Sequence, residues 1–155
     1  MKRKNNKKKK QQPEGLKSIK NYSMIAKNYD EYLNFQLEKH AGHESKHSRW
    51  SKGQIRFIDK NFSKLDRSLK IIDIACGDGV GLFQFKKLNF YNVIGVELNE
   101  EKLNIAKKIG YNVFNLDMHN LSIFPNNEFD IIYSSHTLEH AFNPSEVLKE
   151  FYRIL

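Results

Sequence analysis

The sequence predicts an α/β domain, a parallel sheet with helices on its faces, preceded by a helical segment. From Leu69 onward, short apolar runs alternate with stretches whose apolar side chains recur every three or four residues, the pattern of strands joined by crossover helices. The first run, 69–75, is apolar on nearly every residue, as in a strand buried on both faces. Directly after it comes a cluster of glycines, 77–81, where a strand gives way to a helix.

Before that region the chain is organised differently. Residues 1–20 hold nine Lys or Arg against a single acid, Glu14, whereas the remainder carries 17 basic and 17 acidic side chains. The net charge of +8 therefore belongs to the tail. Such a tail buries too little apolar surface to fold. It reads either as a solvated end or as a weak electrostatic contact for nucleic acid or an anionic surface. From Tyr22 to His40, Tyr22, Ile25, Ala26, Tyr29, Tyr32, Leu33 and Leu37 form one helical stripe. A polar connection, 41–48, leads to a second helix over 49–61, with Trp50, Ile55, Phe57 and Ile58 as its expected buried set.

The alternating region then predicts strands at 69–75, 92–96, 112–116 and 129–134. Helices are expected to begin at Leu82, to run over 99–108 before Gly110, and to start again at Pro144. Asn143 is placed to cap the last of these, and Glu146 to close a capping box with it. The expected division is a tail over 1–20, a helical cap over 21–68 and an α/β half-domain over 69–155.

Composition excludes several classes. The apolar runs are far too short to span a bilayer. The single cysteine, Cys76, rules out an internal disulfide and any cysteine-based zinc site, and fits a cytoplasmic location. His40, His43 and His47 have helical spacing, but no carboxylate completes a ligand motif, so no metal is expected.

The chemistry concentrates in Ile71-Ile-Asp-Ile-Ala-Cys-Gly-Asp-Gly-Val-Gly81. Glycines between strand and helix let a ligand approach the backbone closely. Glu97 ends the second strand about 20 residues later, where a carboxylate accepts from ribose hydroxyls. Asp117 follows the third strand, near the place of an adenine. Leu82 stands where a dinucleotide fingerprint requires its last glycine. Asp73 would oppose a pyrophosphate but suits the cationic amino group of an amino-acid cofactor. These charges favour S-adenosyl-L-methionine over NAD. Each acid also has a plainer reading: a turn cap at Asp73, a solvated strand end at Glu97, an Asx turn at Asp117.

Asp73-Ile-Ala-Cys-Gly-Asp-Gly79 resembles the first motif of class I S-adenosylmethionine-dependent methyltransferases, particularly the small-molecule branch called type 11. Gly95-Val-Glu-Leu-Asn99, Asp117-Met118 through Asp130, Ser134-Ser-His-Thr-Leu-Glu-His140 and Glu150-Phe-Tyr-Arg-Ile-Leu155 resemble the later motifs in order. The resemblance implies a Rossmann-like sheet. It implies backbone contacts from Ala75, Gly77 and Gly79 to the methionine moiety, with Asp73 at its amino group. It places Glu97 on the ribose, Leu98, Asp117 and Met118 around the adenine, and Ser134 and Ser135 at the methionine end. His136 is the candidate for contact with the methyl acceptor, for which a small molecule is favoured, and His140 reads mainly as a packing residue. Where the family has its first glycine this chain has Ala75, which is expected to keep a negative φ.

Relatives continue past the Arg-Ile-Leu segment with further strands. The resemblance therefore implies a truncated or split product, or a partner chain covering an exposed fourth-strand edge. Beside the methyltransferase reading stand a non-catalytic cofactor-binding module and a nucleic-acid-associated enzyme using its basic tail.

Overall fold

The computed structural model describes residues 26–39 and 49–155. The basic tail, Tyr22, Ile25, the histidines at 40, 43 and 47, and the side chain of Trp50 lie outside the described residues. Two helices come first, α1 (Tyr29–Lys39) and α2 (Arg49–Phe62). The alternating region follows as β1 (Ile71–Ile74), α3 (Val80–Lys87), β2 (Val93–Val96), α4 (Glu100–Lys108), β3 (Val113–Phe114), β4 (Ile131–Ser134), a 3-10 turn (Leu138–His140) and α5 (Pro144–Ile154). Among the described residues no helix is long and apolar enough to cross a membrane.

The four strands form one parallel sheet in the order β3-β2-β1-β4. Central β1 is buried at all four positions, its three isoleucines and Asp73 alike. Its side chains alternate between two cores. Ile72 and Ile74 pack with Val96, Leu121, Val147 and Phe151 on one face. Ile71 packs with Ile58, Phe85, Phe90 and Tyr133 on the other. Asp73, two residues from Ile71, therefore points to the second face, where α3 lies. That alternation aims the one acid of the strand at the start of a helix.

Strand bounds are tighter than the apolar runs suggest. The first strand begins at Ile71 because Lys70 closes the sheet's lower rim instead: its N–H donates to Asp130 Oδ2 at 2.8 Å, and its carbonyl accepts from Asp130 and Ile131 N–H. Phe129 N–H donates to Ile154 O, so 129–130 tie the rim to α5 rather than extend β4. Strand β3 shrinks to two residues because Asn115 turns its Nδ2 onto the Glu97 and Leu98 carbonyls.

Two expectations are corrected. Phe57 is 54% exposed, whereas Ile58 and Ser51 are fully buried; the apolar stripe of α2 follows the seven-residue step from 51 to 58 and leaves Phe57 about 100° away. The capping box at α5 is half made. Asn143 Oδ1 accepts from Ser145 and Glu146 N–H, but Asn143's own N–H donates to His119 Nε2 at 3.3 Å instead of reaching Glu146.

Below α5, Arg153 joins Glu150 through two contacts at 2.8 and 2.9 Å, and its guanidinium donates to the carbonyls of Leu121 and Phe124. This holds the long 115–130 connection against the sheet. In the other core, Phe85 is fully buried between Phe62, Phe90 and Tyr133 rings. Replacing Phe85 by Ala should cost about 3–5 kcal/mol, read from urea unfolding; a cost below about 1 kcal/mol would contradict this packing.

Candidate functional site

Parallel strands bring every loop at their carboxyl ends to one edge of the sheet, and the switch in strand order between β1 and β4 opens a crevice there. A cavity of about 390 Å³ occupies it, within the range of small-molecule sites. Asp73, Ala75 and Gly77 line it from β1, Glu97 and Leu98 from β2, Asp117 and Met118 from the segment after β3, and Ser135 and His136 from the end of β4. Helices α1 and α2 close it with Tyr32, Gln36 and Gln54.

Asp73 is 3% exposed. Its carboxylate lies against Gly81 in α3, where an added Cβ would sit 2.2 Å from Oδ2; a glycine is needed for this approach. No hydrogen bond from the described residues reaches it. Burial first, and the charge of Glu97 second, push its carboxyl well above the usual carboxylate range. An acid so placed in a cavity wall gains by meeting a cation.

Glu97 is held quite differently. Its Oε2 accepts from Gly77 N–H and its Oε1 from Asn99 N–H, both at 2.8 Å. The carboxylate thus clamps the β1 and β2 loops together, and each oxygen keeps acceptor capacity for a hydroxyl.

Asp117 is more heavily engaged than the sequence suggests. Its Oδ1 accepts from His119 N–H at 2.8 Å and from His119 Nδ1 at 2.6 Å. Its Oδ2 accepts from the Tyr29 hydroxyl at 2.5 Å. Burial works to raise this carboxyl, but the bonds from His119 and Tyr29 outweigh it and hold it below the ordinary value. His119 donates through Nδ1 and accepts at Nε2 from Asn143 N–H, so a neutral ring with its proton on Nδ1 satisfies both.

Not every expected residue reaches the cavity. Gly79 is buried and turned toward Tyr111, its added Cβ meeting that ring at 2.8 Å, and it does not line the cavity. Ser134 also lies outside it; its Oγ is buried with no partner among the described residues, and the residue lines a neighbouring cleft with Phe57 and Tyr133. Ala75 has φ +57°, against the expected negative value. The chain leaves β1 through alternate left-handed residues, Ala75, Gly77 and Gly79, and Ala75 must take that conformation although it carries a methyl.

His136 also has a left-handed backbone, φ +56°, and lines the cavity with Glu139 and His140. Its Nδ1 lies 3.5 Å from Glu139 Oε1. Gln36 reaches from α1 to donate to the His140 carbonyl at 3.3 Å. Tyr29, His119 and Glu139 were not legible as site residues: Tyr29 reads as one member of an apolar stripe, and His119 and Glu139 lie inside family-like segments whose resemblance gives them no role. Among the described residues no group of three His, Cys, Asp or Glu could hold a metal ion.

Comparison with known proteins agrees with this architecture. A family model described as a methyltransferase domain matches residues 72–155, and the chain belongs to that family. Membership assigns S-adenosyl-L-methionine as its cofactor. Phosphoethanolamine N-methyltransferase 1 of Arabidopsis thaliana is 27% identical over 104 residues, covering 64% of this chain and 21% of that protein. Sterol 24-C-methyltransferase of Aspergillus fumigatus is 28% identical over 100 residues, 59% of this chain and 26% of that protein. The chain thus spans about a quarter or less of these curated relatives. A crystal structure of an S-adenosylmethionine-dependent methyltransferase from Archaeoglobus fulgidus shares the fold, with a TM-score of 0.59, 23% identity, and coverage of 80% of this chain and 53% of that one.

A left-handed conformation strains an alanine by roughly 1–2 kcal/mol, part of which a glycine returns through its more flexible unfolded chain. Ala75→Gly should therefore stabilise the domain by up to about 1 kcal/mol in urea titration. A destabilised variant would contradict the backbone described at this turn.

Proposed function

We propose that this chain binds S-adenosyl-L-methionine and transfers its methyl group to a small-molecule acceptor. The single observation that carries the proposal is the meeting of Asp73, Glu97 and Asp117 around one cavity, each in a different electrostatic condition. Asp73 is buried with no donor among the described residues. Glu97 is clamped with acceptor capacity left. Asp117 is held ionised beside Met118. These match, in order, an ammonium group, a pair of ribose hydroxyls and an adenine amino group. The residues fit the cofactor best at Asp73, whose burial calls for a cation.

When bound, the cofactor supplies a methyl already activated on a sulfonium. The protein's part is mainly alignment. Asp73 receives the amino group, with the backbone of Ala75 and Gly77 along the methionine moiety and Ser135 at its far side. Glu97 orients the ribose. Leu98 and Met118, both half-buried in the wall, pack on the adenine. Asp117 accepts from the adenine amino group through the capacity left beside Tyr29. His136, strained at the cavity rim, contacts the acceptor and takes its proton. The division into tail, helical cap and cofactor-binding half-domain, and a cytoplasmic location, belong to the same proposal.

Isothermal titration of the purified chain with S-adenosylhomocysteine tests the cofactor site; a folded chain that gives no heat of binding would defeat it. Asp73→Asn should weaken binding by roughly 10- to 100-fold, the worth of one buried charged hydrogen bond. Gly81→Ala, which pushes a methyl into the Asp73 carboxylate, should act in the same direction.

The pH dependence follows from the raised Asp73 carboxyl. Between the unfolded value of about 4 and the higher folded value, the folded cofactor-free chain holds a proton that the unfolded chain has lost. Stability from this group is therefore present at low pH and falls as pH rises through the folded value. Cofactor affinity should rise over the same window, because the ionised carboxylate is the form that pairs with ammonium. Asp73→Asn should remove both slopes in pH-resolved melting and titration; slopes unchanged in the variant would refute the assignment.

A further inference from the structure

The acceptor end of the cavity differs in character from the cofactor end. The 3-10 turn after β4 brings His136 and Glu139 together at 3.5 Å, and its internal bonds, His140 N–H to Thr137 O at 2.9 Å and Thr137 Oγ1 to Ser135 O at 3.1 Å, fix that turn. His136 accepts a left-handed backbone to stand there, a strain that a residue with no role at the rim need not carry. Facing them are Gln36 and Gln54 from the two cap helices. The only apolar or aromatic side chains the cap adds among the described lining residues are Tyr32 and Leu37.

The charge of the wall narrows what fits. Asp73, Asp78, Glu97, Asp117 and Glu139 line the cavity, and Lys102 is the one Lys or Arg among the described lining residues. Lys102 sits in the first turn of α4, its N–H donated to the capping Asn99 that follows β2, away from the turn after β4. At the rim where the acceptor enters, a phosphate would meet the Glu139 carboxylate and no Lys or Arg among the described lining residues, where phosphate sites instead supply cations. Beside His136 and Gln54 lie the rings of Phe57 and Tyr133, an apolar surface that suits the hydrocarbon part of a small amine. A small protonated amine meets a half-exposed carboxylate with an imidazole beside it, which attracts the cation and takes its proton.

Resting on the methyltransferase reading above, we propose that the acceptor is a small amine without phosphate, recognised by Glu139 through its ammonium and deprotonated by His136. The ammonium releases one proton to the His136 imidazole. The freed nitrogen lone pair forms the new C–N bond as the carbon–sulfur bond breaks, and that bond's electron pair stays on sulfur. Glu139 acts as both recognition and positioning residue: it holds the ring at Nδ1 and supplies the negative charge.

The test uses the whole chain saturated with S-adenosylhomocysteine, whose binding is first confirmed by titration for the wild type and for Glu139→Gln. Saturation-transfer NMR then compares ethanolamine and phenethylamine with O-phosphoethanolamine as probes. We expect both amines to bind and O-phosphoethanolamine to bind at least about fivefold more weakly than ethanolamine. Glu139→Gln should weaken the amines by about fivefold, the scale of a partly exposed charge pair, while leaving S-adenosylhomocysteine affinity unchanged. Equal or tighter binding of O-phosphoethanolamine, no binding of either amine, or amine binding unaffected by Glu139→Gln overturns the proposal. Failure of S-adenosylhomocysteine to bind the wild type overturns the cofactor reading itself and is told apart by that first titration.

Discussion

A buried acid that no donor among the described residues reaches, Asp73, is the constraint around which the site is organised. It sits on the central strand, in a position set by simple alternation: Ile72 and Ile74 must face one core, so residue 73 must face the other. That face carries the start of α3, and Gly81 is the residue that leaves room for the carboxylate. The strand tolerates this acid at a cost to the cofactor-free fold, since nothing among the described residues offsets its desolvation. A binding site that holds part of its ligand's energy as an unmet need in the empty protein is a common way to obtain selectivity for charge.

The other two acids are settled within the protein, and they set the shape of the cavity. Glu97 ties the β1 and β2 loops by bonding the N–H groups of Gly77 and Asn99, so the glycine turn is fixed before a ligand arrives. Asp117 ties the segment after β3 to α1 through Tyr29 and to α5 through His119 and Asn143. Tyr29 and Tyr32 further pack edgewise or tilted against His119 and Phe142. Closure of the pocket by α1 is therefore coupled to the Asp117 carboxylate.

How much of this was legible in the sequence depends on the range of the interaction. The parallel sheet and the three acids at or after the strands follow from local patterns, namely apolar runs, glycine placement and spacing. The bounds of the strands do not, because side chains distant in sequence compete for their backbone groups: Asn115 for the Glu97 carbonyl, Asp130 for the Lys70 N–H. The same holds for the site. Tyr29 lies 88 residues from Asp117, and nothing in an apolar stripe marks one hydroxyl as a partner for a remote acid. The sign of φ at Ala75 was misjudged for a related reason. A methyl argues locally for negative φ, but the turn from β1 into α3 demands a left-handed residue there, and the global path prevails.

The protonation state of Asp73 tests the whole scheme most directly. In the chain with its aspartates labelled in 13C and no cofactor present, the Asp73 carboxyl carbon should titrate at a higher pH than an ordinary aspartate. It should move to the position of an ionised carboxylate on saturation with S-adenosylmethionine. A carboxyl that titrates like an ordinary aspartate in the cofactor-free protein, or one that stays protonated in the saturated complex, would contradict the pairing of this buried acid with the ligand's ammonium group.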